Sequence, residues 1–292
     1  MARPLIVGIV NMTADSFSDG GHFLDPAAAI AHAGALAAGG ADIVELGAAA
    51  SNIASAAIAP EEEIRRLGPV LAALAGTGIR LSIDTWQPAV QRFALARGVD
   101  CVNDIRGFPD PNLYPDLAAS AARLVVMHAV DAGSGRAQRR DLSGAEAWRR
   151  IDEFFAARIA ALTASGIARE RLILDPGMGL FLSTRAEASL YVLARLPLLQ
   201  QRFALPVMVS VSRKSFLAAL TGREDPTERG PASLAAELYA AAHGADYIRT
   251  HDAAALADAL NIVAALEAAA PDGQSAAALS GAASGSMPSA RL

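Results

Sequence analysis

The sequence has little that would favour a secreted, membrane-spanning or nucleic-acid-binding protein. Its 292 residues include one cysteine, Cys101, which excludes an intramolecular disulfide framework and favours a reducing compartment. No stretch approaches the roughly 18 unbroken apolar residues of a membrane span, and the first residues do not resemble a signal peptide. The net charge of −5 gives no reason to expect nucleic acid or an anionic membrane as a partner. We therefore expect a cytoplasmic protein.

Two common ligand-binding signatures are also missing. No Cys/His cluster has the spacing of a zinc site, and no Gly-x-x-x-x-Gly-Lys-Ser/Thr phosphate loop occurs. The segment DPGMGLF (175–181) contains two glycines but lacks the third glycine of the dinucleotide-binding fingerprint. The chemistry of this chain must therefore be sought in another arrangement of polar residues.

The apolar residues, 53% of the chain, follow a repeating pattern. Eight short apolar runs each precede a polar or Gly-containing loop and then an Ala-rich amphipathic segment; the runs are 5–11, 42–46, 80–84, 100–104, 123–128, 171–175, 206–212 and 246–251. Eight strands alternating with helices predict an α/β fold, a single-domain (β/α)₈ TIM barrel, with a doubly wound open sheet as the alternative. We expect this domain to span 1–267. The Ser/Gly/Ala/Pro-rich segment 268–292 is predicted to be a disordered tail.

Polar side chains follow seven of the eight predicted strands, at the ends that share one mouth of a barrel. They include Asn11, Asp84, Asn103, His128, Asp175, Lys214, Arg249 and His251, whereas the second strand runs into the bland loop of DIVELGAAASN (42–52). A single Asp in such a place is commonly a helix N-cap, and a single His a satisfied core residue. The ring as a whole suits a flat heterocycle with an anionic phosphate end and a divalent cation.

Six longer motifs connect these strand ends. They are GIVNMTADSFSDGG (8–21), SIDTWQP (82–88), VNDIRGF (102–108), LILDPGMG (172–179), VSVSRKSF (209–216) with GPASLAAE (230–237), and IRTHD (248–252). In this order and spacing the chain resembles dihydropteroate synthase along nearly all of residues 5–267. The resemblance implies a TIM barrel, usually a homodimer, that joins the pyrophosphate ester of hydroxymethyl-dihydropterin to para-aminobenzoate and releases pyrophosphate.

The resemblance also implies a role for each matching residue. The pterin would be held by Asp84, Asn103, Met127, Asp175, Lys214 and Arg249. The pyrophosphate would be held by Asn11, Ser51, Arg249 and His251, with Mg²⁺ at Asn11. The aminobenzoate would contact Phe17, Phe181, Ser212 and Lys214. The loop 12–21 would close over the site, and the expected catalytic residues are Asp15, Asp84, Asp175, Lys214 and Arg249.

Three segments depart from the usual pattern of that family. The loop after the second strand keeps a hydroxyl, Ser51, but has lost the family's glutamate, arginine and proline. Ala14 replaces a usual proline in the first loop, and the sixth loop reads Gly-Leu-Phe-Leu (179–182), which removes a lysine and adds Phe181. The combination is similar to the sulfonamide-resistant, Sul-type synthases. Phe181 would then clash with sulfonamides, which extend beyond the outline of the substrate.

Two other functions stay open at this point. A pterin-dependent methyltransferase would share the barrel and the pterin motifs, although the SRKS segment (212–215) and the full first loop argue against it. A non-catalytic pterin-binding paralogue is suggested by the lost arginine after the second strand. The retained polar residues at the other strand ends argue against that alternative.

Overall fold

The computed structural model describes residues 3–13, 25–49, 58–130 and 139–269, which form a (β/α)₈ barrel. All pairings between its strands are parallel, and the sheet order is β6-β5-β4-β3-β2-β1-β8-β7. The eight strands are β1 (Leu5–Asn11), β2 (Ile43–Gly47), β3 (Leu81–Asp84), β4 (Cys101–Asp104), β5 (Arg123–Met127), β6 (Leu172–Asp175), β7 (Met208–Val209) and β8 (Tyr247–Thr250). A bridge between Leu174 and Val207 joins the two outer strands, so the sheet closes. The predicted barrel is confirmed.

The seventh strand is much shorter than the predicted run 206–212. Val207 still accepts hydrogen bonds from the backbone N–H groups of Asp246 and Tyr247, but beyond Val209 the ladder stops. A turn in which Lys214 N–H donates to the carbonyl of Val211 then carries the chain out of the sheet. This early departure allows the SRKS segment to reach across the mouth of the barrel.

Helices follow the strands and cover the outside of the barrel. In the described residues they are α1 (Pro26–Ala38), α2 (Pro60–Leu74), α3 (Pro88–Leu95), α4 (Tyr114–Ala119), α5 (Gly144–Ala164), α6 (Ala186–Leu193), α7 (Leu196–Phe203), α8 (Ser215–Thr221), α9 (Gly230–Ala242) and α10 (Ala253–Ala269). Local signals explain where two of them begin. Asp25 caps α1 through the N–H of Ala27, and Ser143 with Glu146 forms a capping box on α5. No helix in this described part is long and apolar enough to cross a membrane.

A layer of apolar side chains fills the barrel near the start of its strands. Seven strands contribute one member each: Val7, Ile43, Cys101, Val125, Ile173, Met208 and Tyr247. Burial raises the pKa of the Cys101 thiol to about 12, so this cysteine is a packing residue. The layer closes one end of the barrel. Polar groups can therefore gather only toward the opposite mouth, at the carboxyl ends of the strands.

Candidate active site

The centre of the mouth is an ion-paired cluster that joins three strands. Arg249 on β8 donates from Nε to Oε1 of Glu45 on β2 and from a terminal nitrogen to Oδ2 of Asp84 on β3, at 3.0 Å. Glu45 is fully buried, whereas the Asp84 side chain is 28% exposed and therefore open to a ligand. Burial alone would lower the pKa of Arg249, but Glu45 and Asp84 raise it overall. The guanidinium is thus a permanent, oriented cation.

Asn103 on β4 lies beside the same buried carboxylate. Its amide nitrogen is 3.3 Å and 3.4 Å from the two oxygens of Glu45, and the side chain is almost fully buried. Its Oδ1 has no hydrogen-bond partner among the described residues. A buried acceptor without a partner is costly, so this oxygen is an expected contact for a donor group of a ligand.

Asp175 ends β6 and is fixed by the turn that follows it. Its Oδ1 accepts the N–H of Gly177 at 2.8 Å, and its backbone carbonyl accepts the N–H of His128. Gly177 has a φ of +74°, and a Cβ there would lie 2.3 Å from the carbonyl oxygen of His128, so only glycine fits. Burial raises the pKa of Asp175 to about 6, which leaves the carboxyl largely ionised at neutral pH.

Lys214 is the only lysine in the chain and reaches the site from the loop after β7. The preceding Arg213 has a φ of +59° and is held by Ser233 Oγ and by the Arg229 guanidinium, which anchors its carbonyl. The Lys214 ammonium lies 4.3 Å from the centroid of the Phe181 ring, a cation–π contact. Burial lowers the pKa of Lys214 to about 8, although Asp175 and Asp84 oppose that shift.

Ser212 and His251 form a second polar contact at the same mouth. The Ser212 hydroxyl oxygen lies 3.0 Å from Nδ1 of His251 and also accepts the backbone N–H of that residue. Burial, with the nearby Arg213 and Arg249, lowers the pKa of His251 well below its usual range. The imidazole is therefore neutral at physiological pH, and its two nitrogens differ in role.

Asn11 lies at the end of β1, next to Asp84. Asn11 pairs with Gly47 across the sheet, and a Cβ on Gly47 would be 4.0 Å from Asn11 Oδ1 and 3.9 Å from Asp84 Oδ2. In the described ranges no group of three His, Cys, Asp or Glu side chains has the geometry of a metal site. Mg²⁺ commonly uses one or two protein oxygens together with substrate phosphates, so the side-chain oxygen of Asn11 is the kind of ligand that such an ion takes.

Comparison with known proteins places this geometry in a family. Residues 7–251 match the family described as pterin binding enzyme. Dihydropteroate synthase type-2 of Escherichia coli is 57% identical over 263 residues, which cover 90% of this chain and 96% of the relative. The chain belongs to the dihydropteroate synthase family. The expected family, and the expected resemblance to its Sul-type subgroup, are therefore confirmed.

Solved structures of dihydropteroate synthases share the barrel. The Xanthomonas albilineans enzyme with 4-aminobenzoic acid matches with a TM-score of 0.82 at 37% identity, covering 92% of this chain and 94% of that one. The same species' enzyme in complex with 7,8-dihydropteroate matches with a TM-score of 0.77 at 34% identity, with the same coverage. These matches agree with the eight-stranded topology described above.

Most of the site residues expected of a dihydropteroate synthase meet at this mouth. Those placed there by contacts described above are Asn11, Asp84, Asn103, Asp175, Phe181, Ser212, Lys214, Arg249 and His251. Met127 ends β5 and is largely buried beside them in the strand order. Asp15, Phe17 and Ser51 lie outside the described residues, as does Ala14. Of the predicted tail 268–292, residues 268 and 269 still belong to α10, and the rest lies outside the described residues. The ligand roles of all these residues remain predictions.

Two polar residues near strand ends have structural roles. His128 is buried, its Nδ1 contacts the carbonyl of Pro176 at 3.2 Å, and its ring packs edge-on against Phe154. Burial lowers its pKa to about 4, so it is the satisfied core histidine that the simpler interpretation expects. Asp104 accepts the backbone N–H groups of Arg106 and Phe108 and thereby shapes the loop after β4.

Sequence reasoning missed Glu45 and Glu237. Glu45 lies in the middle of β2 and Glu237 lies on α9. The sequence prediction rests on polar residues at the ends of strands, so it does not consider residues within a strand or a helix. A signal for Glu45 was present, because a carboxylate within the otherwise apolar run DIVEL of a buried strand must have a partner. For Glu237 the helical pattern alone gives no comparable signal, and only the packed structure shows that it is buried with its Oε1 unpartnered among the described residues.

Proposed function

We propose that this chain condenses 6-hydroxymethyl-7,8-dihydropterin diphosphate with para-aminobenzoate to give 7,8-dihydropteroate and pyrophosphate, and that it discriminates against sulfonamides. One observation carries the proposal: side chains from β3, β4, β6 and β8 and from the loop after β7 converge on one mouth with the donors and acceptors that a pterin needs. The chemistry is a transfer: the bond from the pterin methylene carbon to the pyrophosphate oxygen breaks, the amine nitrogen of aminobenzoate bonds to that carbon, and the nitrogen then releases one proton to solvent.

The pterin is expected to lie against Asn103, Asp175 and Lys214. The unpartnered Oδ1 of Asn103 suits an amino or ring N–H donor of the pterin, and the ionised carboxyl of Asp175 accepts a second one. The ammonium of Lys214 donates to an acceptor such as the ring carbonyl. Asp84 and Arg249, already paired with each other, offer a charged edge, and Met127 adds an apolar contact.

The diphosphate end is expected near Asn11, Arg249 and His251. Asn11 would hold Mg²⁺ there through its side-chain oxygen. When bound, that ion would neutralise charge on the leaving pyrophosphate. Arg249 contributes a fixed positive charge to the same group, and His251 contributes a hydrogen bond. Ser51, in the adjacent loop, is the fourth predicted contact.

The protein lowers the barrier by stabilising charge, since it offers no covalent nucleophile at the reacting carbon. As pyrophosphate departs, the methylene carbon on the electron-rich pterin gains cationic character. The negative charge of Asp175, next to the pterin ring, would stabilise that developing positive charge. A cation of this kind reacts with water, so the loop 12–21 with Asp15 and Phe17 would exclude solvent when it closes.

Discrimination against sulfonamides is assigned to Phe181. The Phe181 carbonyl accepts the N–H of Val130 at 2.9 Å, and the turn that holds it is anchored where Gly179 N–H donates to Ser189. The ring is also held by Lys214, so it cannot easily move aside for a bulkier ligand. A planar carboxylate fits next to a fixed aromatic edge more readily than a sulfonyl group with a substituent.

The test of function measures pyrophosphate release with and without para-aminobenzoate, and then with a sulfonamide. We expect release that requires both substrates and Mg²⁺ and that a sulfonamide barely inhibits. Phe181→Ala should strengthen sulfonamide inhibition at least about tenfold, because a one-group clash of this kind is worth about 1–3 kcal/mol, while changing the KM for aminobenzoate much less. Leu180→Ala, in the same turn, is the matched control. Equal changes for drug and substrate would overturn the role of Phe181.

Two further expectations concern the setting of the enzyme. We expect a homodimer, as is usual in this family, and a cytoplasmic location. Sedimentation velocity would measure the dimer, and fractionation of the source cells would measure the location.

A further inference from the structure

Arg66, on α2, contacts the backbone at the point where β1 and β2 leave the sheet. Asn11 and Gly47 form the last residue pair between these two strands. Directly after that pair, Nη1 of Arg66 donates to the carbonyl of Ala48 at 3.1 Å and lies 3.5 Å from the carbonyl of Met12. One guanidinium therefore connects the first residues that follow the two strands.

Both of these residues are buried. Met12 and Ala48 are 0% exposed, and the N–H of Met12 donates to the carbonyl of Gly47 at 2.7 Å. A buried carbonyl needs a hydrogen-bond donor, and beyond the last pair of a ladder the neighbouring strand no longer provides one. Arg66 provides it from the helix that packs outside the two strands.

The guanidinium is held by a carboxylate on its own helix. Nε of Arg66 donates to Oε1 of Glu62 at 2.7 Å, one turn earlier, and the Arg66 side chain is only 17% exposed. Because the guanidinium is planar, a bond that fixes Nε also restricts Nη1. Arg65 pairs with the same carboxylate, but it is 73% exposed, and within the described residues its side-chain hydrogen bonds go to Glu62 alone.

The attachment of α2 to the barrel does not require Arg66. Four buried apolar residues on one face of the helix belong to the core: Leu67, Val70, Leu71 and Leu74. The contacts of Arg66 with the barrel end instead on backbone beside Asn11, the residue expected to meet the diphosphate. The effect of Arg66 is therefore local to that end of the mouth.

We propose that Arg66 is a positioning residue for the diphosphate end of the site, an inference that rests on the proposed function. Met12 directly follows Asn11, and Gly47 holds its N–H while Arg66 holds its carbonyl. The backbone that follows Asn11 is thus fixed on both sides of Met12, and with it the position from which the Asn11 amide meets the diphosphate. Arg66 acts through this backbone and without contact to the anion.

The experiment measures the binding of two ligands to the full chain by calorimetry: pyrophosphate with Mg²⁺, and 6-hydroxymethyl-7,8-dihydropterin without its diphosphate. In Arg66→Met we expect the affinity for pyrophosphate to fall about tenfold, the size of one hydrogen bond from a charged group. The affinity for the diphosphate-free pterin should change by less than about twofold, because Asn103, Asp175 and Lys214 lie on other elements.

Two further variants separate positioning from a general effect on α2. Arg65→Met removes the other arginine that binds Glu62 and should leave both affinities unchanged. Arg66→Lys keeps the aliphatic chain and the positive charge, so it tests the same contacts even where Arg66→Met does not fold. We expect it to show a smaller loss that is likewise confined to pyrophosphate.

Salt separates positioning from a long-range effect of the Arg66 charge. The ratio of wild-type to Arg66→Met affinity for pyrophosphate should be the same at about 0.1 M and about 1 M salt, although the screening length falls from about 10 Å to about 3 Å. A ratio that approaches one at high salt would mean that the charge acts on the anion directly, and it would overturn the proposal.

Three other results would also overturn it: an unchanged pyrophosphate affinity in Arg66→Met, equal losses for both ligands, or the same selective loss in Arg65→Met. The proposed function fails separately. A wild-type protein that binds pyrophosphate but forms no dihydropteroate would contradict the proposed function alone, whereas a wild type that does not bind pyrophosphate would contradict both.

Discussion

Arg249 and Glu45 form a buried ion pair between β8 and β2, in which the arginine Nε donates to a carboxylate with no exposure to solvent. The pair lies directly above the apolar layer that closes the barrel. Arg249 also donates to Asp84, so the two carboxylates together fix the position of its guanidinium group. Glu45, which has no exposure of its own, thus orients the group that we expect to meet the leaving pyrophosphate.

Replacing Glu45 should therefore affect both stability and binding. In Glu45→Gln the guanidinium loses a buried counter-charge, and we expect the free energy of unfolding to fall by about 3 kcal/mol, as when one partner of a buried pair is removed. Urea unfolding measures this change, and calorimetry measures the weaker binding of a pterin. Glu153→Gln, in the exposed pair with Arg149 on α5, is the control and should cost about 0.5 kcal/mol or less. Equal costs for the two variants would contradict the role of Glu45.

Lys214 should impose a basic limit on activity. Its pKa is lowered by burial to about 8, so kcat/KM for the pterin diphosphate should fall as pH rises through that value and the donor is lost. Lys214→Arg keeps a positive charge, so in this variant kcat/KM, where it can still be measured, should not fall with rising pH below pH 10. The native pKa lies below the unfolded value of 10.5, so the unfolded chain binds more protons between pH 8 and 10.5. Wild-type stability relative to the arginine variant should accordingly increase with pH over that interval.

His128 should make the protein sensitive to acid. Burial lowers its native pKa to about 4, whereas the unfolded value is 6.5, so the unfolded chain binds more protons between these values. This difference should cost about 3 kcal/mol of stability as pH falls from 6.5 to 4, at 1.36 kcal/mol per pKa unit. Urea unfolding of the wild type and of His128→Gln at pH 5 and pH 7 measures the effect. Buried carboxyls with raised pKa values contribute in the opposite direction to both proteins, so the difference between the two isolates His128. An identical pH dependence in the variant would refute this assignment.

Gly177→Ala should disrupt the turn that holds Asp175. The new Cβ would lie 2.3 Å from the His128 carbonyl at a φ of +74°, so we expect a loss of about 3 kcal/mol or more. Gly166→Ala provides the matched control: its φ is +85° but its surroundings are open, so only backbone strain of about 1 kcal/mol should remain. Thermal unfolding compares the two variants. Similar losses would mean that the close approach to His128 is unimportant.

The fold could be predicted from the sequence because its signals are local. Each strand is a short apolar run, each helix shows a buried stripe, and β1 coincides with its predicted residues 5–11. Only β7 differed greatly: its ladder stops after Val209, and the turn that follows is held by Ser233 and Arg229, which lie 20 and 16 positions further along the chain than Arg213. The polar strand ends likewise predicted the mouth of the barrel, since parallel strands bring their carboxyl ends to one side.

The sequence by itself determined the barrel, the side on which the site lies and most of the residue types that form it. Only the tertiary structure decided which of those residues act together. Arg249 and Glu45 are 204 positions apart, and Ser212 and His251 are 39 apart, so no periodicity or spacing relates them. The strand order places β8 beside β1 and one strand away from β2, and each charged or hydroxyl group buried in the mouth then needs a hydrogen-bond partner. The pairing of polar groups, and with it their protonation, is a property of that closed interior.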